Sequence, residues 1–350
     1  MWHYLFKRLL LIFPTLFGII TICFLFTQIV PGGPVEQAIS QLKQADFRGE
    51  VTVSNKSGKD DSAMDMEEQK ERFRKLYGLD KPIHIQYFNW LKRLATFDFG
   101  ESFYYNKKIT DLIVEKLPVS ASLGITSMIV TYLITIPLGI KKAIRHGTTF
   151  DVVTSVIVLL AYSIPPLIMG VFLIIFFCGG SFFNWFPIRG LTSDNFASLT
   201  LIQQTRDVIW HLVLPVIAYT MTGFAWLTML TKNLFLNEIN QQYVITARAK
   251  GLPEKIVLFK HIFRNAMIFV ISGIPSVLVF MFFGGSLFVE TIFSLDGLGL
   301  LSYQSVIRRD YAFVLSNIYI FSLLSLLTTV FSDIILSLVD PRITFAEVPD

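Results

Sequence analysis

Residues 119–140 read VSASLGITSMIVTYLITIPLGI, an apolar stretch of 22 residues without a charged side chain. A helix of about 20 residues rises about 30 Å, which is the thickness of the hydrocarbon core of a bilayer. Charged residues lie on both sides of the stretch, with Lys116 before it and Lys141 directly after it. The stretch therefore predicts a helix that crosses a membrane once.

Five further apolar runs of similar length occur in the chain, at residues 9–30, 152–177, 211–230, 267–289 and 313–339. The composition agrees, since 53% of the 350 residues are apolar and 16% are charged, whereas about 25% are charged in soluble domains. A membrane β-barrel has short segments of alternating hydrophobicity instead. We predict an all-α integral membrane protein with six transmembrane helices.

Lysine and arginine are distributed unequally over the segments that connect these runs. If the N-terminus is inside, the inner segments hold twelve basic residues, namely Lys7, Arg8, Lys141, Lys142, Arg145, Lys232, Arg248, Lys250, Lys255, Lys260, Arg264 and Arg342. The two short outer loops hold four, namely Arg189, Arg206, Arg308 and Arg309. Short loops rich in basic residues stay in the cytoplasm. Both termini are therefore predicted to be cytoplasmic.

The predicted organisation follows from the spans: 1–30 as the first transmembrane helix, 31–116 as a large extracytoplasmic loop, 117–342 as a core of five helices with a cytoplasmic loop at 232–266, and 343–350 as a cytoplasmic tail. Within the outer loop, residues 43–63 are polar and are predicted to be mobile. Residues 66–78 and 79–94 have helical patterns. In the second of these helices, the residues expected to pack are Ile85, Phe88, Trp90 and Leu91.

The predicted spans contain few groups that can use an ion gradient. Spans one to five have no Asp, Glu, Lys or Arg, and the sixth has Asp333, which we interpret as an interfacial carboxylate bonded to a neighbouring helix. A phosphate-binding G-x-x-x-x-G-K-[ST] loop and common hydrolase motifs are also absent from the sequence. A secondary carrier and a membrane enzyme are therefore disfavoured, and uphill transport requires a partner that supplies energy.

Residues 243–266, YVITARAKGLPEKIVLFKHIFRNA, form a polar interruption between apolar runs. Gly251 ends one helical pattern and Pro253 begins the next, which predicts a helix-turn-helix. The second helix carries large apolar residues at helical spacing, namely Ile256, Phe259, Ile262 and Phe263. Two interpretations are open: an amphipathic connector on anionic lipid headgroups, or a docking element whose small residues admit close approach by a partner.

This segment resembles the cytoplasmic loop of ABC-importer permeases, whose motif is E-A-A, three residues and G. Aligned on Gly251, the motif positions hold Ile245, Thr246 and Ala247, so the leading Glu is absent and the first Ala is Thr. Peptide-type permeases share the form Y-V-x-T-A-R-A-K-G followed by H-x-x-R-N-A.

Other parts of the chain show a resemblance to B-type dipeptide and oligopeptide permeases, namely the stretches YGLDKPIHIQYFNWL, FDFGES, LPVSASLG, ETIFSLDGLGLL and LVDPRI. PGGPVEQAI and FCGGSFFNWFPIRGL resemble the Yej-type branch, which is associated with oligopeptides and microcin C.

The resemblance implies a type I (MetI-like) permease fold in the bacterial inner membrane. It implies partners as well: a second homologous permease, ABC ATPase subunits, an extracytoplasmic substrate-binding protein, membrane lipid and a peptide substrate, with nickel or a glycan as alternative cargo and no nucleic acid. ATP and magnesium belong to the ATPase, so this chain is expected to hold no cofactor and to be no enzyme. The residues implied in ATPase coupling are Thr246, Ala247, Arg248, Ala249, Lys250, Gly251 and Leu252, with His261, Arg264 and Asn265 bracing the second helix.

Candidates for the translocation path or a gate also come from the spans, namely Ser163, Pro165, Pro166, Gly284, Gly285 and Glu290. The proline pair is expected to kink the third span, and the serine beside it to bond a freed carbonyl. The glycine pair permits either close helix packing or a gate. The glutamate is expected at the outer mouth, where it contacts the binding protein or a gate, or else caps the local loop.

Overall fold

The computed structural model describes residues 2–29, 81–102, 104–105, 107–179, 182–283 and 287–339. The predicted mobile stretch 43–63, the predicted helix 66–78 and the pair Gly284 and Gly285 lie outside these residues. The described residues separate into two compact units. Unit 1 holds those of Met1–Leu10, Lys116–Leu301 and Leu323–Asp350, and unit 2 those of Leu11–Glu115 and Ser302–Ser322.

The described part of the chain is built from helices: α1 Trp2–Ile29, α2 Ile83–Ala95, α3 Ile109–Ile144, α4 Thr149–Ser163, α5 Pro166–Phe177, α6 Leu201–Ile239, α7 Gln242–Ala249, α8 Glu254–Ala266, α9 Ile268–Phe283, α10 Leu287–Ile292, α11 Leu298–Ile307 and α12 Tyr311–Val339. A single isolated β-bridge, between Glu101 and Lys108, is the one extended pairing in the described residues. The prediction of an all-α chain is confirmed.

Three helices, α1, α3 and α12, are long and apolar enough to cross a membrane unaided. Three further crossings are bent pairs: α4 with α5 at 93°, Leu201–Met221 with Gly223–Ile239 in α6 at 55°, and α8 with α9 at 47°. Counting each bent pair as one crossing gives up to six crossings, the predicted number, and in the last pair only α9 lies within a predicted span. α3, α4 and α6 extend beyond the predicted bounds, because their polar ends continue the helix outside the apolar run.

The proline pair breaks the third span completely instead of kinking it. Ile164 is extended, with φ −89° and ψ 117°, as expected of a residue before proline. Pro166 then begins α5, where its missing N–H costs no hydrogen bond. The Ser163 hydroxyl donates to the Leu159 carbonyl at 2.9 Å. The predicted bond to a freed carbonyl is therefore wrong, because the prolines free the carbonyls of Ala161 and Tyr162, four residues before them, and not that of Leu159.

Unit 1 has two apolar cores. The Leu295 cluster contains Leu123, Leu173, Cys178, Leu212, Leu214, Val216, Ala218, Val289, Phe293 and Leu295. The Phe235 cluster contains Ala143, Leu227, Phe235, Val244, Ala247, Val257, Ile262, Ala266, Met267 and Val270. In the same unit Asp333 pairs with Arg8, so the interpretation of Asp333 as a carboxylate bonded to another helix is confirmed.

Unit 2 packs α2 against the part of α1 that belongs to it. The Tyr87 hydroxyl lies 2.7 Å from the Thr21 hydroxyl, and the Phe24 ring lies 5.2 Å from that of Tyr87 and 5.6 Å from that of Trp90. The predicted packing face of α2 was partly wrong, because Phe88 is 65% exposed. The inward face instead follows the i, i+3, i+7 spacing of Tyr87, Trp90 and Leu94.

Candidate functional site

The segment from α7 to α8 has the predicted helix-turn-helix form. α7 ends at Ala249, and Gly251 has φ +75°, a left-handed conformation that favours glycine. A Cβ at Gly251 would meet no atom within 4 Å, so the backbone dihedral and not space requires glycine. The Gly251 N–H donates to the Arg248 carbonyl at 2.9 Å, and Pro253 then precedes α8.

One face of this helix-turn-helix is buried in the Phe235 cluster. Val244, Val257 and Ile262 are fully buried there, together with Phe235 of α6. The Phe235 ring lies 6.2 Å from the Phe263 ring of α8. Both helices of the segment therefore rest on the same end of α6.

The helical spacing of the large apolar residues in α8 predicted that they share one face, and the structure separates them. Residues 257–262 form a π-helical stretch, in which residues five apart face the same way. Val257 and Ile262 consequently point inward, whereas Ile256 is 42% and Phe259 55% exposed. The prediction assumed the regular helical period, which places Ile256 and Phe259 on the wrong side.

The outward face combines apolar side chains with basic ones. We call it the coupling face: its exposed apolar residues are Ile245, Leu252, Ile256 and Phe259, and its exposed basic residues are Lys250, Lys255, Lys260 and Arg264. Six of the seven residues implied in coupling are exposed on this segment, namely Thr246, Arg248, Ala249, Lys250, Gly251 and Leu252. Ala247 is only 6% exposed and packs inside the Phe235 cluster. Its small size therefore serves packing within the chain.

Sequence reasoning did not select three of the exposed apolar residues as coupling residues. Ile245 is 51% exposed and occupies the motif position at which the wider permease family has Glu. Ile256 and Phe259 were noted only for their helical spacing. The sequence carries no separate signal for Ile245, because single apolar residues are common on protein surfaces and its exposure is known only from the structure.

An ion pair closes the turn between the two helices. The Arg248 guanidinium donates two hydrogen bonds to the Glu254 carboxylate, at 2.6 Å and 3.1 Å. Both side chains are partly exposed, so the pair contributes at most about 1 kcal/mol of stability. Its bidentate geometry nevertheless fixes the angle at which α8 leaves α7.

The start of α7 is tied both to the end of α6 and to α8. The Tyr243 hydroxyl donates to the Glu238 carboxylate, and the Asn265 side chain also interacts with it. Burial and the Glu238 carboxylate raise the pKa of Tyr243 to about 12, so the phenol stays a neutral donor. Asn265 thus contacts the first helix of the segment. His261 is half-buried and Arg264 exposed, and their bracing role stays a prediction.

Glu290 is fully buried in this structure. Its carboxylate accepts from the Ser120 hydroxyl at 2.8 Å and from the Leu300 N–H at 2.9 Å. A Cβ at Gly297 would lie 2.5 Å from the carboxylate, and one at Gly299 2.9 Å from it. The geometry agrees with the capping interpretation, because the glycine-containing turn folds directly over the carboxylate.

The described residues build helices long and apolar enough to cross a membrane, together with an exposed helix-turn-helix at 243–266. These features agree with a membrane permease, the class that the resemblance implied. Residues 135–345 match the sequence profile of a family described as binding-protein-dependent transport system inner membrane component. The matched range includes five of the six predicted spans, in whole or in part. It also includes all of residues 243–266, which we call the coupling segment. The chain belongs to this family.

The most informative relatives match along nearly the whole chain. The chain is 48% identical to the peptidoglycan transport system permease protein YejB of Agrobacterium fabrum, over 98% of both chains. It is 46% identical to the inner membrane ABC transporter permease protein YejB of Escherichia coli O157:H7, again over 98% of both. The oligopeptide transport system permease protein AppB of Bacillus subtilis is 32% identical over 98% of this chain and 99% of its own. The predicted resemblance to Yej-type permeases is confirmed.

Proposed function

We propose that this chain is the permease subunit of an ATP-driven importer of oligopeptides, and that the coupling face receives the motion of the ATPase. The observation that carries the proposal is the construction of residues 243–266. One side is fixed on the Phe235 cluster, while the other presents apolar side chains rimmed by bases. A surface of this kind suits a stable but detachable contact with an acidic, partly apolar groove.

The proposed complex contains a second homologous permease, ABC ATPase subunits and an extracytoplasmic binding protein. ATP and magnesium are bound by the ATPase subunits. Closure of the ATPases on ATP draws the coupling faces of the two permeases together and opens the cavity outward, and hydrolysis resets it. Both termini of this chain then lie in the cytoplasm, on the same side as the coupling face.

The size of the coupling face is adequate for this role. Full burial of one large apolar side chain contributes about 1.5–3 kcal/mol. The coupling face has four such side chains, each 37–55% exposed in the chain by itself, namely Ile245, Leu252, Ile256 and Phe259. Partial burial of these four provides several kcal/mol before the cost of association. The exposed bases add attraction that decreases with salt.

Oligopeptides are the proposed cargo, because relatives over nearly the full chain are named for oligopeptide and peptidoglycan transport. Peptides released from peptidoglycan are a specific candidate within this class, and they are favoured by the 48% identical relative. Peptide conjugates of the microcin C type are a second candidate from the Yej-type resemblance. The experiment below distinguishes transport of oligopeptides from transport of another cargo such as nickel.

The test is reconstitution of both permeases, the ATPase and the binding protein in lipid nanodiscs. We expect ATP hydrolysis to rise when the binding protein is loaded with oligopeptide, and to stay basal with Ni²⁺. A panel of free tri- to octapeptides, peptidoglycan-derived peptides and a peptide–nucleotide conjugate ranks the cargo. Accumulation of peptide by this chain alone, driven by an ion gradient in vesicles, would refute the proposal.

A further inference from the structure

A buried charged network lies where α3, α4 and α6 meet in unit 1. Asp151, in the first turn of α4, is 4% exposed, and Lys142, in the last turn of α3, is fully buried. The Lys232 ammonium of α6 donates to both Asp151 carboxylate oxygens, at 2.8 Å and 2.7 Å. The Lys142 ammonium lies 3.1 Å from the same carboxylate. One carboxylate thus joins three helices.

The surroundings of the network satisfy the remaining donors. Lys142 also donates to the Asp151 carbonyl and to the hydroxyls of Thr154 and Ser155, at 2.7–2.9 Å. The Gly147 N–H and the His146 ring lie 3.2 Å from the Asp151 carboxylate. Buried charges with complete partners contribute little net stability, but they define one geometry closely.

The network lies beside the platform that carries the coupling segment. Lys142 precedes Ala143 of the Phe235 cluster, and Lys232 is one helical turn before Phe235. Gly139 lies one helical turn before Lys142 in α3, and Thr231 directly precedes Lys232 in α6. The two helices approach so closely there that a Cβ at Gly139 would lie 2.7 Å from the Thr231 Cβ. The crossing of α3 and α6 is therefore tight at the same level as the network.

The Phe235 cluster connects the coupling segment to α3 and α6 but not to α4. Its members, in the part of the chain that the structure describes, come from α3, α6, α8, α7, α9 and the residue between α8 and α9. α4 is the first half of the broken span, with its 93° bend at the proline pair. α4 also packs directly against α6, and at this end of α4 the Asp151 carboxylate adds a polar connection to that packing.

We propose that Asp151, held between Lys142 and Lys232, is a positioning residue for energy coupling. Motion at the coupling face displaces α6 through Phe235, and the Lys232–Asp151 bond carries that displacement into α4 and the broken span. The inference rests on the proposed function, because it requires that the coupling segment is driven by an ATPase. It names a transmission element between that segment and the membrane helices.

The test compares variants in the reconstituted four-component complex. Lys232→Met removes the bond to α6 and leaves the Asp151–Lys142 pair. Asp151→Asn/Lys232→Gln replaces the bond by one between two amides and keeps the net charge of the network. Lys141→Met is the matched control, because it removes an exposed lysine from the same turn of α3 as Lys142.

We expect Lys232→Met to assemble with the ATPase and to keep the basal hydrolysis rate and the KM for ATP. Peptide stimulation should fall toward the basal rate in this variant, return in the double amide variant, and remain normal in the control. Unchanged KM with a lost stimulated rate, and rescue by the amide pair, distinguish transmission from a loss of folding.

Normal stimulation of the Lys232→Met complex would overturn the inference. Where that variant fails to assemble, Asp151→Ala/Lys142→Met/Lys232→Met removes the bond together with both lysines, so no buried charge is left without its carboxylate partner. Normal stimulation of that variant has the same meaning. A wild-type complex that peptide does not stimulate would refute the proposed function, and the inference would fail with it. If peptide stimulates ATP hydrolysis equally in the wild-type complex and in the variants that lack the Lys232–Asp151 bond, the inference is refuted and the proposed function is not.

Discussion

Substitution of Gly251 tests whether the turn of the coupling segment sets its docking geometry. An L-residue with a Cβ costs about 1–2 kcal/mol in the left-handed region, and Gly251 lies there with φ +75°. Since a Cβ at this position meets nothing within 4 Å, the whole cost arises from the backbone. Relief of the strain rotates α8 relative to α7 and separates Arg248 from Glu254. About 1–2 kcal/mol reduces the population of the native turn by about 5–30-fold.

Gly251→Ala and Gly251→Asp separate strain from contact. Aspartate tolerates the left-handed region better than alanine does, so strain alone predicts that Gly251→Asp is the milder change. The coupling face predicts the opposite order, because the added carboxylate disturbs its basic rim and enters the contact. We expect Gly251→Asp to abolish peptide-stimulated ATP hydrolysis and to co-purify poorly with the ATPase, and Gly251→Ala to reduce stimulation severalfold.

The assay is ATP hydrolysis of the reconstituted complex with and without peptide-loaded binding protein. Gly190→Ala is the matched control, because Gly190 has φ +78° and lies in a predicted outer loop, and a Cβ there would make only an ordinary contact, with the Thr192 carbonyl oxygen at 3.7 Å. It should suffer the same local strain and keep normal stimulation. Normal stimulation of both Gly251 variants would refute the reasoning, and equal losses in the Gly190 control would show that strain anywhere in the chain has this effect.

Three further predictions concern the coupling face, the buried glutamate and the orientation. Phe259→Ala removes the most exposed apolar side chain of the coupling face and should weaken binding of the ATPase by about 1–2 kcal/mol, and a titration of labelled ATPase that shows unchanged affinity would contradict this role. Gly297→Ala places a Cβ 2.5 Å from the Glu290 carboxylate and should destabilise the purified chain by about 1–3 kcal/mol, seen as a lower thermal unfolding midpoint. A cysteine introduced at Lys141 should react with an impermeant maleimide from the cytoplasmic side and one at Arg189 from the outside, and the reverse pattern would exclude the predicted orientation.

Much of the architecture could be predicted because the relevant signals are local. A run such as 119–140 has the length of a bilayer crossing regardless of its neighbours, so the six spans follow from composition alone. The helix-turn-helix at 243–266 follows similarly from Gly251 and Pro253, whose backbone preferences are their own. The family resemblance implied a coupling role for the segment in outline only, since which side chains face outward depends on the π-helical stretch at 257–262.

The sequence by itself determined that the chain spans a membrane and where its polar interruption bends, because length, hydropathy and backbone preference are properties of short stretches. Only the tertiary structure decided that Lys232 meets Asp151 across 81 positions and that Ser120 meets Glu290 across 170 positions. It also decided that Ala247 is buried while Ile245 is exposed. In the sequence, Lys142 and Lys232 look like any other basic residues of the inner segments. Only the packing of distant helices places them in a buried ion pair with Asp151.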